Sequence, residues 1–129
     1  MTLEEIKNEC AGMQAELEDL IPNDINAVID HAKKIAAYHV RSGNLLAIVK
    51  KAYRTKSVSE VAEAVKKIAK DSCYAKEVQK ILVNGIANDE LELVDMLDRI
   101  NSSCTKVLDL CRSIISKEKA EMAYLNFQK

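Results

Sequence analysis

An all-α chain, folded as an up-and-down bundle of four helices with the second to fourth long, is predicted by three observations. The first is the stripe Leu93, Leu97, Ile100, Cys104, Val107, Cys111 and Ile114, spaced alternately by four and three residues and widened by Val94, Leu108 and Ile115. That is the period of a helix with one buried face. The second is the scarcity of breakers: one Pro and three Gly in 129 residues, with Pro22 and Gly85 at segment boundaries and Gly43 at an internal interruption. The third is a hydrophobic content of 48% with a single Phe and no Trp. Such a chain is not disordered, and its core is built from Leu, Ile, Val, Ala and Met, which suits close helix packing and leaves few large anchors for a deep ligand pocket. A chain of this length predicts one domain, residues 1–129.

The first helix is expected over about residues 2–20, from Leu3, Ile6, Cys10, Met13, Leu17 and Leu20. Thr2 and Glu5 have the spacing of a capping box, whose reciprocal bonds satisfy orphan amides at a helix start. Ile21, Pro22, Asn23 and Asp24 break the chain, with Asn23 or Asp24 as the next cap. Ile25, Val28, Ala32, Ile35 and His39 mark the second apolar face, and Leu46, Val49 and Tyr53 continue it past Ser42, Gly43 and Asn44. The nearly preserved phase favours one helix over 24–54, with a bend or break at Gly43 as the competing arrangement.

Ser57 with Glu60 fits another capping box, and Val58, Val61, Val65, Ile68, Ser72, Ala75, Val78, Leu82 and Ile86 describe a third face running to a C-terminal end at Asn84 and Gly85. Asp89 with Glu92, or Asn88, caps the last helix, whose stripe weakens at Glu118 before Met122 and Leu125 return to phase. Short connections imply antiparallel neighbours. A short first helix beside three longer ones leaves apolar surface for another copy to cover, so a homodimer is the expected assembly.

The net charge of −1 conceals a strong partition: residues 1–30 carry eight acids and one base, residues 31–80 twelve bases and four acids, and residues 81–129 eight acids and six bases. A near-neutral chain of this kind presents a positive face locally. The acidic first helix is expected to cover it, either within its own subunit or by exchange between subunits. Lys50, Lys51, Arg54, Lys66, Lys67 and Lys70 are the candidate nucleic-acid contacts, able to hold successive backbone phosphates. Only two of the twelve central bases are Arg, and no recognition helix, finger or aromatic strand motif accompanies them.

No window has the length of an uncharged membrane span, and MTLEEIKNEC lacks the basic region and apolar run of a secretion signal. A cytoplasmic protein without a membrane partner is the expectation. Cys10, Cys73, Cys104 and Cys111 lack metal-ligand pair spacing and are expected as reduced thiols, Cys104 and Cys111 in the core. On an unbroken helix those two lie about 10 Å apart, too far to bond. No metal or other cofactor is expected.

Two short stretches bear family resemblances. HAKKIAAYHVRSGNLLA resembles a histidine phosphotransfer domain, a helical bundle of similar length with a surface His followed three positions later by Lys. The resemblance implies His31 as phosphoryl acceptor and Lys34 as its neighbour. Ile35 departs from the pattern, standing where the family has a small Gly that leaves room for a docking receiver. The pairs Glu16/Asp19 and Glu92/Asp95 are similar to the ExxD half of helical, magnesium-dependent nucleotide pyrophosphohydrolases, which implies a divalent-cation-dependent nucleotide hydrolase. The family's preceding ExxE run is missing, and Asp95 points nearly opposite the Leu93 and Leu97 face. The leading expectation is therefore a non-enzymatic helical interaction or structural protein that associates with itself or another helical protein. Nucleic-acid binding is the second, and the hydrolase or phosphotransfer protein the third.

Overall fold

Thr2 opens the first helix as its spacing predicts: its hydroxyl accepts from the Glu5 amide at 3.2 Å, and the Glu5 carboxylate accepts from the Thr2 amide at 3.0 Å. The computed structural model describes residues 1–71 and 76–128, and every regular element among them is an α-helix. They are α1 (Leu3–Leu17), α2 (Ile25–Ser57), α3 (Glu60–Asp71), α4 (Lys76–Ile86) and α5 (Asn88–Gln128). Asp24 caps α2, its carboxylate accepting from the Ala27 amide at 3.1 Å.

α2 runs through Gly43 without interruption, so the single-helix alternative is the one realised. A Cβ built at Gly43 meets only Asn101 Nδ2, at 3.9 Å, so no close helix approach demands glycine there.

The four-helix count requires correction. The third expected helix is two, α3 and α4, which makes five among the described residues. They pack chiefly on each other and only lightly on the rest, as a helical hairpin between the end of α2 and the start of α5. The apolar positions on either side of the junction stay nearly in phase, which is why periodicity alone reads through it. Ser72, Cys73 and Ala75, assigned to that face or to the reduced thiols by sequence, lie outside the described residues.

The boundary signals shift as well. α1 stops at Leu17 rather than near residue 20. Ser59, not Ser57, stands at the start of α3, accepting from the Ala62 amide at 3.3 Å, while Ser57 extends α2 and donates to the Tyr53 carbonyl at 2.8 Å. α4 runs past Gly85 to Ile86, and only Ala87 separates it from α5.

α1, α2 and α5 form the body. Glu9 meets Arg41 and Glu16 meets Lys34, so α1 and α2 are antiparallel. Lys56 meets Glu90 and His39 meets Thr105, so α2 and α5 are antiparallel too. Ile6, Cys10 and Met13 of α1, Ile35, Leu45 and Val49 of α2, and Leu93, Leu97, Ile100 and Cys104 of α5 pack into one buried cluster. Val28 and Cys111 are buried further along the α2 and α5 pair. At roughly 1.5–3 kcal/mol for each large aliphatic side chain buried, this seam is the main source of stability. No described helix is long and apolar enough to cross a membrane.

Candidate interaction surfaces

The α2 and α5 seam contains a polar pin. Ser42, fully buried, falls on the apolar line of α2, and its hydroxyl donates to the His39 carbonyl at 3.0 Å. Across the seam, Asn101 Nδ2 donates to that carbonyl at 3.1 Å and to Ser42 Oγ at 3.0 Å. Thr105 Oγ1 lies 3.3 Å from His39 Nε2. His39 is thus a packed seam residue, as its place in the stripe predicts. Hydrogen-bonded groups in an otherwise apolar seam penalise any slip, because a shifted register would bury them without partners.

This register shows where α2 ends along α5. Residues 56, 42 and 39 of α2 meet 90, 101 and 105 of α5, and the same pace puts Ile25 opposite about residue 119 at about 1.5 Å per residue. α5 continues to Gln128 and so projects beyond the start of α2 by about 14 Å. On that projecting stretch Met122 and Leu125 lie in phase with Leu93, Leu97, Ile100, Cys104 and Cys111, yet are 55% and 60% exposed. Phe127 is 91% exposed, and Leu20, in the connection just before α2, lies bare at the same end of the body. The hairpin carries the second apolar surface: Val61 and Ile68 of α3 and Ile81 of α4 each have more than half their surface in solvent.

The charge partition is resolved in part. α1 masks bases on the first half of α2: Glu16 bonds Lys34 at 2.9 Å, and Glu9 takes both the Nε and a terminal nitrogen of Arg41. That fork of hydrogen bonds holds the Glu9 carboxyl below its ordinary range, the Arg41 bond outweighing the opposing effect of burial. Glu16 in turn raises Lys34. α1 does not reach the remaining bases. Lys50, Lys51 and Arg54 on α2 and Lys67 and Lys70 on α3 are exposed and, among the described residues, pair with no acid, while Lys66 is 3.5 Å from both Glu63 and the Ser57 carbonyl. The structure therefore leaves five of the six candidate phosphate-binding bases exposed, divided between a helix of the body and one of the hairpin.

The residues singled out by resemblance are not gathered into a site. His31 is half-buried on α2, and Lys34 is bound to Glu16. Glu16 is occupied by Lys34, Glu5 by the α1 cap, Glu9 by Arg41, and Glu92 accepts from Asn88 at 3.3 Å. Among the described residues no group of three His, Cys, Asp or Glu is placed to hold a metal ion. A depression between α1 and α5, lined by Leu3, Glu4, Lys7, Asp89, Glu92, Leu93 and Met96, encloses 170 Å³. Wider and shallower depressions of 470, 500 and 520 Å³ lie along the end of α5, on the second half of α2 and between α1 and α2. Cys10, Cys104 and Cys111 are free, buried thiols, each pushed up by burial and so further from the reactive thiolate.

Sequence reasoning missed Ser42, Asn101, Glu90 and Lys56. Glu90 is buried at the foot of α5 and accepts from Lys56 Nζ at 3.1 Å, which ties α5 to α2, while Tyr53 donates to Asn84 at 2.7 Å and ties the hairpin to α2. The available signal was Ser42 falling seven residues after Ile35, on the apolar line itself. Comparison of the chain with protein-family profiles, with curated proteins and with solved structures finds no match.

Proposed function

We propose that this chain is a non-enzymatic helical interaction protein that associates with copies of itself. The supporting observation is the apolar line of α5, buried against α2 from Leu93 to Cys111 and exposed at Met122 and Leu125 where α2 has ended. Apolar side chains held in helical phase on a projecting helix are the form in which proteins present a surface to another helix. Free buried thiols suit a reducing compartment, and a cytoplasmic location is part of the same reading. Static light scattering across a range of protein concentrations tests it: the apparent mass is expected to rise above the 14.4 kDa of one chain. A mass fixed at one chain at every concentration would refute self-association.

A second reading has its own observation, the exposed set Lys50, Lys51, Arg54, Lys67 and Lys70 that α1 leaves uncovered, with Lys66 beside it. On this reading the chain binds nucleic-acid phosphates, and affinity falls steeply with salt. Replacing Lys50, Lys51 and Arg54 by Gln should weaken retention on duplex or single-stranded DNA at low salt. No retention of the unaltered protein would dismiss the reading.

A further inference from the structure

We infer, on the nucleic-acid reading above, that the partner is a double helix held by its backbone alone, and that the outward face of α2 at Lys50, Lys51 and Arg54 holds it without the bases of α3.

Charge selects the face. From His31 to Ser57, α2 carries seven bases and no acid. Three of the seven are answered from other helices, Lys34 by Glu16, Arg41 by Glu9 and Lys56 by Glu90. Lys33 stands about 25 Å from Lys50 along the helix and has Asp30 one turn before it. Lys50, Lys51 and Arg54 remain, all exposed. At about 100° per residue they fall within an arc of about 100°, on the side turned away from the buried Leu45 and Val49. On α5, at the level of Lys50 by the register of the seam, Asp95 and Asp98 are exposed and, among the described residues, bonded to none of the three. Their charge turns phosphates away from the α5 side and leaves the outward side of α2 as the approach.

The same test excludes α3, which carries three acids and three bases. Glu63 lies one turn from Lys66 and Lys67 and 3.5 Å from the Lys66 amine, so a phosphate brought to these lysines meets a carboxylate as well. Lys66 is further engaged with the Ser57 carbonyl.

The aromatic residues select the double helix. A single strand held without sequence preference is gripped by aromatic side chains that stack on its bases. None of the described aromatics offers itself on this face: Tyr38 packs against the core cluster, Tyr53 donates to Asn84, and Tyr124 and Phe127 lie at the far end of α5. Without stacking, affinity follows phosphate density, and a duplex presents one charge per about 1.7 Å of axis against about 3.4 Å for one strand. The side of a helix laid on phosphates enters neither groove, so base sequence goes unread.

Fluorescence anisotropy is the test, with four labelled probes: a short DNA duplex of mixed sequence, a scrambled duplex, the same duplex as RNA, and one of the single DNA strands. Each is titrated at several salt concentrations with the unaltered chain, with Lys50→Gln/Lys51→Gln/Arg54→Gln, and with Lys66→Gln/Lys67→Gln/Lys70→Gln. Circular dichroism checks that the helix content of each variant is kept. The three duplexes are expected to bind within about threefold of one another and at least about fivefold more tightly than the single strand, with log K falling against log salt at a slope of about −2.7 for three phosphates. The α2 variant should bind at least about tenfold more weakly, and the α3 variant within about twofold of the unaltered chain. Equal losses in the two variants would overturn the surface, and a single strand bound as tightly as the duplex would overturn the partner, while nucleic-acid binding would stand. A preference of about tenfold for DNA over RNA, or for one sequence, would overturn backbone-only binding. No binding of the unaltered chain to any probe at low salt would remove the nucleic-acid reading itself.

Discussion

Two stretches of α5 obey the same periodicity and meet different surroundings. From Leu93 to Cys111 the apolar line is closed over by α2, with α1 adding Ile6, Cys10 and Met13 along the first part. At Met122 and Leu125 the line continues in phase and is bare. Between the two, Ile114 is already 37% exposed beside the first turns of α2, and Glu118 falls on the line near the point where α2 begins. The comparison teaches that a helical stripe specifies which face is apolar, while the lengths of neighbouring helices decide what covers it.

Mutation can break that contrast or sharpen it. The largest effect is expected at Leu97, fully buried in the seam: Leu97→Ala should cost about 2–5 kcal/mol in urea unfolding, from lost burial plus the cavity left behind. Leu125→Ala, measured in dilute solution where the chain is a monomer, should cost less than about 0.5 kcal/mol. Equal costs would mean that the end of α5 is packed like its middle.

Next in size is the polar pin. Asn101→Ala removes the bonds to the His39 carbonyl and to Ser42 and should cost about 1–2 kcal/mol by the same measurement, despite touching no apolar side chain's burial directly. A change near zero would show that the seam's register does not depend on the pin. Gly43→Ala, a few ångströms away, should act in the opposite sense. It replaces a poor helix former inside α2 where the added methyl meets only Asn101 Nδ2 at 3.9 Å, so stability should rise by about 0.5–1 kcal/mol.

The effect at the Glu9 and Arg41 pair is also small and depends on pH. The folded-state pKa of Glu9 is lowered, so its contribution is fully present above the ordinary glutamate range and is lost as pH falls through the lowered value. Glu9→Gln should therefore be less stable than the unaltered chain at neutral pH by roughly 0.5–1 kcal/mol, as for a partly exposed pair, and the gap should close on acidification. A gap that stays constant from neutral to acid pH would show that the pair's charge is not what stabilises it.

Much of this arrangement was legible in the sequence because it rests on local chemistry. The Thr2 and Glu5 capping box, the Asp24 cap and the passage of α2 through Gly43 all follow from spacing within one helix. The division between α3 and α4 was not legible, because no Gly or Pro stands between Asp71 and Lys76 and the apolar period resumes nearly in phase. The exposure of Lys50, Lys51 and Arg54 also depended on tertiary register. Charge counts show that acids and bases are segregated, but only the pairings Glu9 with Arg41 and Glu16 with Lys34 reveal which bases α1 covers. Ser42 reads as an interruption of the α2 stripe and Asn101 carries no signal of its own, because a sequence does not show that two polar residues fifty-nine positions apart satisfy each other.

The central claim is that one apolar line on α5 serves first as core and then as an intermolecular seam. Amide hydrogen exchange along α5, followed at several protein concentrations, tests it most directly. Protection from Leu93 to Cys111 should be independent of concentration, while protection from about residue 119 to Phe127 should rise as concentration increases. Fast exchange at the α5 end that stays the same at every concentration would contradict the claim.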